Sequence, residues 1–389
     1  MQRMRTWLAA GAAGLILVLA GCTTDLLDLP APADAEVQSA IVATRYMAGG
    51  YPDVIDRLPG QPYAVYRWGY TQGVTLWALL LLHEQTGNSA YLDQVGAALA
   101  NYDAHGRIRI HGGSEPIDYI GSMAHAILEY SERSGDDRYL DEALEAARFF
   151  RDDVARTPEG LIAYHSKPQG GRIWADALFM VTPLMAKAGR LSDDPSYYDD
   201  VLEQFRGFAE KLRDPQVGLY HQGWNWHGSG PSPGFWGRAN GWTALAMTEV
   251  LDTLPADYAG RDALLTLYRD LGAAIVAHQG SGGMWHQLLD RVDSYEETSC
   301  TAMFIYVLAR GVERGWLGQE YRTAIERGHA GLSRMISISG GIANICPGTP
   351  TQPSEQAYLE RGPRRNDSHG IGPVLLATYG VMHAGELTD

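Results

Sequence analysis

The sequence predicts an all-α toroid, an (α/α)6 ring of six helical hairpins, and three observations support it. Helical hydrophobic patterns recur along the whole chain, without a convincing run of alternating strand residues. The helices are of two kinds, one strongly apolar and one with a polar face. The two kinds alternate strictly, with six of each, and a closed ring of hairpins buries the apolar set on both sides.

The apolar helices, which should form the inner ring, begin after loops rich in glycine and aromatic residues. They are predicted at residues 70–84, 122–134, 174–188, 239–254, 297–314 and 370–384. The outer helices are predicted at residues 36–47, 90–102, 138–155, 197–212, 261–278 and 320–335. A repeated pattern supports this pairing, because a glycine suited to end an inner helix precedes a Tyr-Leu-Asp sequence at both 86–93 and 134–141.

A second repeat predicts one mouth of the ring. A glycine followed by an aromatic-His pair occurs at residues 160–165, 218–221 and 283–286, each time before an inner helix. Three loops therefore aim such a pair at the end where the inner helices start. The partial positive charge of helix N-termini suits an anionic ligand there.

Composition and charge exclude some classes of partner. The 389-residue chain has a net charge of −15, and 45% of its residues are hydrophobic. Removal of residues 1–21 takes away two arginines and no acid, which gives −15 − 2 = −17, so nucleic-acid binding is disfavoured. The 10 Trp and 21 Tyr residues suggest a surface on which carbohydrate rings stack.

The N-terminus is typical of a bacterial lipoprotein. Residues 1–21 carry two arginines, then an apolar run, and end just before Cys22 in Leu-Ala-Gly-Cys, so they predict a signal peptide and lipidation of Cys22. An uncleaved membrane anchor is the alternative, but the run is short for a span of roughly 20 residues. Residues 22–35 are predicted as the lipidated cysteine and a tether, and residues 36–389 as one catalytic domain. Thr23, directly after the cysteine, favours the outer membrane. We therefore expect an exported lipoprotein, periplasmic or on the cell surface, that its lipid binds to a membrane. We also expect it to be a monomer.

Two carboxylates are candidate catalytic residues. Asp176 follows Trp174 in the first turn of the third inner helix, where capping of the helix is an equal alternative. Trp174 favours a sugar site, since an aromatic face against a sugar excludes water and helps a carboxyl to stay protonated. Asp118 occupies the corresponding place before the second inner helix, and repulsion between the two would raise one pKa, as a general acid requires.

The segment FWGRANGW at residues 235–242 is the densest signal in the chain. Arg238 is suited to bind a substrate carboxylate with two hydrogen bonds, and Trp236 and Trp242 are suited to stack on sugar rings. The alternative is a structural role for a buried Arg238 paired with Asp118 or Asp176.

Histidines and cysteines add weaker signals. His165 and His221 lie in the mouth loops, where they would bind sugar hydroxyls or position a water, although a solvated or core position is equally consistent. Cys300 and Cys346 would form a disulfide or remain as buried thiols. No His-Glu-x-x-His or close His/carboxylate cluster occurs, and Gly-x-Ser-x-Gly is absent, so we expect neither a metal, a cofactor nor serine catalysis.

Over roughly residues 40–385 the chain resembles glycoside hydrolase family 105, the unsaturated rhamnogalacturonyl hydrolases and their relatives. The resemblance depends on WGYTQG at 68–73, WAD at 174–176, FWGRANGW at 235–242 and DSHG at 367–370. It implies an (α/α)6 barrel that acts on lyase-generated oligosaccharides ending in a 4,5-unsaturated uronic acid. It also implies that Asp176 is the general acid/base and Asp118 the second acid. The implied substrate-binding residues are Tyr70, His165, Trp174, His221, Trp236, Arg238 and Trp242.

Three other functions remain open at this point. One is a family 88 unsaturated glucuronyl hydrolase, which has the same fold and chemistry. Another is a toroidal hydrolase that acts on saturated sugars. The third is a non-catalytic surface lipoprotein that binds glycans in its aromatic pocket.

Overall fold

Helices account for nearly all regular structure in the computed structural model, which describes residues 28–51, 55–56, 65–66, 68–104, 106, 108, 117–164 and 171–386. In chain order, the α-helices of this part are α1 (Ala35–Met47), α2 (Tyr70–Thr86), α3 (Ser89–Ala104), α4 (Ser122–Ser134), α5 (Leu140–Asp152), α6 (Asp176–Ser192), α7 (Ser196–Leu212), α8 (Gly237–Thr253), α9 (Arg261–Ala277), α10 (Thr298–Glu313), α11 (Arg322–Ser333), α12 (Glu355–Leu359) and α13 (Ser368–Glu386). A π-helical turn spans Ile117–Gly121 and a 3-10 turn spans Gln319–Tyr321.

Six of these helices form a closed inner ring. Helices α2, α4, α6, α8, α10 and α13 each contact the next, and α13 packs against α2. Outer helices α3, α5, α7, α9 and α11 each pack on the inner helix that precedes them in the chain. The sixth hairpin joins the two ends of the chain, because α1 packs on α13. The predicted (α/α)6 toroid is therefore confirmed.

The sequence explains how two inner helices end and why the inner helices are buried. Gly87 and Gly135, the glycines of the repeated pattern, end α2 and α4 in the left-handed conformation, with φ of 67° and 70°. Their backbone N–H groups donate to the carbonyls of His83 and Ser131, so the last turn of each helix is satisfied. The inner helices are buried almost all round, which agrees with their continuous apolar sequence.

Close backbone contact between α4 and α6 depends on one glycine. A Cβ atom added to Gly121, at the end of the π-helical turn, would lie 1.6 Å from the carbonyl oxygen of Met180 in α6. Only glycine permits this approach. Asp118 precedes Gly121 by one turn and Asp176 precedes Met180 by one turn, so the contact brings the two carboxylates to the same end of the ring.

Short strands join the loops at the mouth. β1 (Ile55–Asp56) pairs with β2 (Val65–Tyr66), and β3 (Ile173–Trp174) pairs with β4 (Gly223–Trp224), both antiparallel. The β3–β4 pair ties the loop before α6 to the loop before α8. Two-residue strands in loops are too short to leave an alternating pattern in the sequence.

Part of the predicted tether packs on the ring. The backbone N–H of Ala31 donates to the carbonyl of Ile336 at 2.8 Å, and the N–H of Ile338 donates to the carbonyl of Leu29 at 2.8 Å. The segment available as a free linker is therefore shorter than residues 22–35. Among the described residues, no helix has the length and apolar character needed to cross a bilayer.

A buried ionic cluster lies deeper in the ring, away from the mouth. Ligand atoms of His125, Glu129 and Glu249 lie within 4.8 Å of one another, the spacing at which three such groups can surround a metal ion. Glu129 is already paired with Lys187, however, and Glu249 accepts a hydrogen bond of 2.9 Å from Tyr306. These partners balance the cluster without a metal, so we interpret it as a structural network.

Candidate active site

Asp176 opens α6 at the mouth of the ring. The β3–β4 pair and a hydrogen bond of 2.8 Å from the Ala175 N–H to the Gln222 carbonyl position the residues before it. The Asp176 side chain is half-buried, and its Oδ2 atom is inaccessible to solvent and has no hydrogen-bond partner in the described part of the chain. A buried carboxyl oxygen without a partner is costly unless the group is protonated or a ligand satisfies it.

The surroundings of Asp176 favour its protonated form. Burial, with a further contribution from the charge of Asp118, raises its pKa from 3.8 to about 8, against the opposing effect of the Arg238 guanidinium. A hydrogen bond from its own backbone N–H lowers the pKa in part but does not offset burial, and Ala175, at the N-cap position of α6, makes no side-chain cap bond. Asp176 therefore has the protonation state that a general acid requires near neutral pH.

Asp118 lies in the π-helical turn before α4 and is held differently. Its Oδ2 accepts a hydrogen bond of 2.5 Å from the hydroxyl of Tyr164. This donor stabilises the negative charge of Asp118. π-helical turns are frequent at functional sites, and this one carries Asp118, whose charge contributes to the raised pKa of Asp176.

Arg238 is buried in the first turn of α8, with 1% of its surface exposed. Its guanidinium donates to the carbonyls of Cys346 and Pro347, at 2.5 and 2.7 Å, and to the hydroxyl of Ser299 at 3.2 Å. These bonds anchor the loop that follows α11. They use three of the five guanidinium N–H donors, so two remain for a ligand carboxylate.

The aromatic side chains form two groups around the carboxylates. Trp174 packs edge-on against Tyr164 and Trp226, with ring centroids 4.3 and 5.8 Å apart. The Trp174 indole N–H is buried and lies near Asp176, where it favours the charged form of that carboxyl and so lowers its pKa in part. Trp242 is 2% exposed and stacks on Phe179 with centroids 5.1 Å apart, so its stacking on a sugar also stays a prediction. The first group offers both an apolar face and an indole N–H donor close to Asp176.

The other predicted binding residues are spread around this centre. Trp236 is 2% exposed and stacks on Tyr358, with centroids 6.5 Å apart, so its role as a stacking wall stays a prediction. His221 is half-buried and its Nδ1 lies 3.1 Å from the carbonyl oxygen of Gly234, which ties the two mouth loops together. His165 lies outside the described residues.

Two features escaped the sequence analysis. Tyr70 lies 2.5 Å from His369, measured from its hydroxyl to Nε2, and His369 Nδ1 lies 2.5 Å from Oδ1 of Asp367. The DSHG segment contributes to the family resemblance, but no pattern in the sequence connects its His369 with Tyr70, which lies 299 residues earlier. Glu297 caps α10, and its Oε1 also accepts from the N–H of Cys346 at 2.7 Å, which supports the same loop as Arg238.

The two cysteines are not joined. Cys300 and Cys346 are both free and fully buried. Cys346 contributes its carbonyl to Arg238 and its N–H to Glu297, so its backbone is the part that supports the site. The alternative of a disulfide, left open by the sequence, is not realised in this structure.

The ring, the paired carboxylates and the aromatic mouth define a toroidal glycoside hydrolase, and the chain belongs to Glycosyl Hydrolase Family 88, whose pattern it matches over residues 54–384. It is similar to the unsaturated rhamnogalacturonyl hydrolase YesR of Bacillus subtilis (strain 168), with 27% identity over 338 residues that cover 85% of this chain and 94% of the relative. An unsaturated 3S-rhamnoglycuronyl hydrolase of Alteromonas sp. (strain LOR) is 28% identical over 220 residues, which cover 54% of this chain and 51% of the relative.

Solved structures agree with this assignment. A family 105 glycoside hydrolase of C. acetobutylicum ATCC 824 is 25% identical, with a TM-score of 0.78 over 88% of this chain and 99% of that chain. A possible family 105 member from Klebsiella pneumoniae subsp. pneumoniae MGH 78578, 24% identical, has the same fold, with a TM-score of 0.78 over 90% of this chain and 93% of that chain. The resemblance predicted from the sequence is confirmed.

Proposed function

We propose that the protein hydrolyses lyase-generated oligosaccharides and releases the 4,5-unsaturated uronic acid at their non-reducing end. One observation carries the proposal: Asp176 has a buried, unpaired carboxyl oxygen and a pKa raised to about 8 by burial and by Asp118. An acid of this kind can protonate an electron-rich double bond at neutral pH. Membership of Family 88 and the similarity to YesR support the same reaction.

The reaction needs one proton donor and one water. The unsaturated sugar is an enol ether, so a proton from Asp176 to C4 uses the electrons of the C4=C5 bond and leaves oxocarbenium character at C5. Water then adds to C5, and its proton passes to the Asp176 carboxylate, which restores the acid. The hemiketal opens and expels the rest of the oligosaccharide. No nucleophile at the anomeric carbon is required, so the distance between carboxylates does not decide retention or inversion.

Asp118 and Arg238 have supporting roles in this scheme. Asp118, held by Tyr164, keeps a negative charge beside Asp176 and so favours the protonated form of the acid. The two remaining N–H donors of Arg238 would bind the C5 carboxylate and orient the double bond towards Asp176. Trp174 and Trp242 would contact the sugar ring, and His165 and His221 its hydroxyls.

The relatives favour rhamnose-containing substrates. Two of them, 27% and 28% identical, act on unsaturated rhamnogalacturonyl and 3S-rhamnoglycuronyl compounds. We therefore propose that a sugar of the rhamnose type follows the unsaturated uronate. Unsaturated glucuronyl substrates of the glycosaminoglycan type are the second candidate, because a structure with the same fold, 13% identical with a TM-score of 0.68, is an unsaturated glucuronyl hydrolase specific for heparin.

The cellular location and quaternary state are part of the proposal. The lipobox pattern that ends at Cys22 supports export, cleavage after residue 21 and a lipid anchor at Cys22, in the outer membrane as Thr23 indicates. Cys22 lies outside the described residues. We expect the protein to act as a monomer. Mass spectrometry of the mature N-terminus would test the anchor, and a free Cys22 or an intact residue 1–21 segment would contradict it.

A panel of lyase products tests the activity. The double bond of the unsaturated uronate is conjugated with its carboxylate and absorbs in the ultraviolet, and hydration destroys this absorbance. We expect loss of absorbance with lyase products of rhamnose-containing polysaccharides. Products of glycosaminoglycan lyases are assayed in the same way and test the second candidate substrate class. Release of sugar from saturated oligosaccharides alone would identify a different hydrolase, and binding without any turnover would identify a glycan-binding protein.

A further inference from the structure

A chain of three polar side chains extends from the mouth of the ring into the protein. The Tyr70 hydroxyl lies 2.5 Å from His369 Nε2, and His369 Nδ1 lies 2.5 Å from Asp367 Oδ1. The backbone N–H of His369 also donates to Asp367 Oδ1, at 3.1 Å. Tyr70 begins α2 and His369 lies in the first turn of α13, so the chain bridges the two helices that close the ring.

Tyr70 belongs to the surroundings of the candidate active site. Besides burial, the charges of Arg238, Asp118 and Asp176 contribute to the pKa of its hydroxyl. The Tyr70 ring packs edge-on against Trp242, with centroids 6.2 Å apart, and the Ser122 hydroxyl donates to the Tyr70 carbonyl at 2.9 Å. These contacts fix the Tyr70 side chain against Trp242 and His369 and tie its backbone to the start of α4.

The direction of the hydrogen bonds follows from the charge states. Burial and the nearby Arg238 lower the pKa of His369, so the imidazole is neutral at pH 7. Burial alone would raise the pKa of Asp367, but the hydrogen bond from His369 holds it below its usual range, so Asp367 is ionised and accepts the Nδ1–H. His369 Nε2 then carries no proton and must accept the hydrogen of the Tyr70 hydroxyl.

Because the Tyr70 O–H donates to His369, the Tyr70 oxygen can only accept hydrogen bonds from groups in the site. Burial raises the pKa of Tyr70, so its hydroxyl keeps its proton, and that proton is directed at His369. An oxygen that only accepts cannot bind the substrate carboxylate, which also only accepts. Its partner in the site must bring an O–H or N–H group.

We propose that Asp367 and His369 orient the Tyr70 hydroxyl so that its oxygen holds the water that attacks C5 of the unsaturated sugar. This inference depends on the proposed function. The water donates one hydrogen to Tyr70 and the other to the Asp176 carboxylate that forms when C4 is protonated. Both hydrogens are then held, and a lone pair of the water is directed at C5. Asp367 and His369 are positioning residues, because they act through Tyr70.

The proton balance is simple. The C4–H bond forms with the Asp176 proton and the C5–O bond forms with the water oxygen. The water then passes one proton to Asp176 and keeps the other as the new hydroxyl. The relay stores no proton, because burial and Arg238 make His369 a poor base.

The test combines kinetics of Tyr70→Phe, His369→Ala and His369→Gln with the lyase product that the parent hydrolyses fastest. We expect Tyr70→Phe and His369→Ala to lower kcat by about 10- to 100-fold, with KM within about twofold of the parent, because a misplaced nucleophile costs about this much. His369→Gln offers an amide oxygen to the Tyr70 hydroxyl and should recover part of the lost kcat.

Tyr379→Phe is the matched control. The Tyr379 hydroxyl also lies at hydrogen-bond distance from a histidine, 2.7 Å from Nε2 of His383, but near the other end of α13. This variant should keep the parent kcat.

Binding separates this role from a structural one. In an Asp176→Asn background, Tyr70→Phe should leave the affinity for the uncleaved substrate unchanged, as measured by titration calorimetry. A raised KM or weakened binding with unchanged kcat would show that Tyr70 contacts a sugar hydroxyl and would overturn the inference. So would parent-like kcat in both Tyr70→Phe and His369→Ala. If the parent itself fails to consume any unsaturated substrate, the proposed function fails instead.

Discussion

The hydroxyl of Tyr164 donates a hydrogen bond of 2.5 Å to Oδ2 of Asp118. Asp176 has an Oδ2 that is shielded from water and has no hydrogen-bond partner in the described part of the chain. One carboxylate is thus stabilised as an anion, and its charge helps the other to retain a proton. Two acids with the same side chain acquire different roles from their surroundings, a division seen in many acid/base enzymes.

This division predicts the alkaline limit of activity. Asp176 must be protonated to act as an acid, and its pKa is raised to about 8. We expect kcat/KM to fall about tenfold per pH unit above about pH 8. Asp118→Asn keeps an acceptor for Tyr164 but removes the negative charge. The pKa of Asp176 should therefore fall, and the alkaline limit of kcat/KM should move to lower pH. Glu326→Gln, an exposed change on outer helix α11, should leave it in place. An unchanged limit in Asp118→Asn would contradict the coupling of the two carboxylates.

The same pKa predicts how stability depends on pH. Between the ordinary value of 3.8 and about 8, folded Asp176 keeps a proton that the unfolded chain has released. This contribution to stability is fully present below pH 4 and is lost as the pH rises through about 8. Because Asp176→Asn does not titrate, the Tm of this variant relative to the parent should increase from pH 5 to pH 9. Melting curves whose difference stays constant over this range would argue against a raised pKa.

Gly121 is expected to be essential for packing and for the site together. A methyl group there would meet the Met180 carbonyl oxygen at 1.6 Å, so Gly121→Ala should lower the free energy of unfolding by about 1–3 kcal/mol. It should also lower kcat, because the π-helical turn that ends at Gly121 carries Asp118 and α6 carries Asp176. Urea unfolding and initial rates measure the two effects. Gly362→Ala, which has open space around the added methyl, should change stability by no more than about 0.5 kcal/mol. Equal stability of the two variants would refute the packing argument.

Arg238 is expected to affect stability and substrate choice by separate routes. Lysine cannot reproduce the bonds to Cys346, Pro347 and Ser299, so Arg238→Lys should lower the Tm. If the two remaining N–H donors bind the C5 carboxylate, the parent should prefer the free acid over its methyl ester, and the variant should lose most of this preference. The ratio of kcat/KM for acid and ester measures it. A variant that is less stable but equally selective would leave Arg238 with a structural role only.

The fold was predictable because a ring of hairpins imposes a strict alternation of apolar and amphipathic helices on the sequence. Predicted limits differ from the observed ones by a few residues; for example, α8 was expected at residues 239–254 and spans Gly237–Thr253. Asp118 and Asp176 could be recognised because each stands at the start of an inner helix. Their closeness follows from the ring, which the sequence already implied.

The hydrogen-bonded connections within the site could not be predicted. Arg238 meets the carbonyl of Cys346, 108 residues later, and Tyr70 meets His369, 299 residues later. Such contacts depend on how the ring closes and on the path of its loops, neither of which leaves a periodic signal. The β3–β4 pair that positions Trp174 is likewise too short to predict. The binding roles of all the predicted substrate-binding residues stay predictions: Tyr70, His165, Trp174, His221, Trp236, Arg238 and Trp242.

The central claim is that Asp176 supplies the proton that begins hydrolysis of the unsaturated uronate. Its most direct test is the rate of ultraviolet absorbance loss by the parent and by Asp176→Asn, with the same lyase-generated oligosaccharide. We predict steady loss with the parent and a rate at least about 100-fold lower with the variant, which binds the oligosaccharide with similar affinity. An Asp176→Asn variant that consumes the double bond at the parent rate would contradict the account.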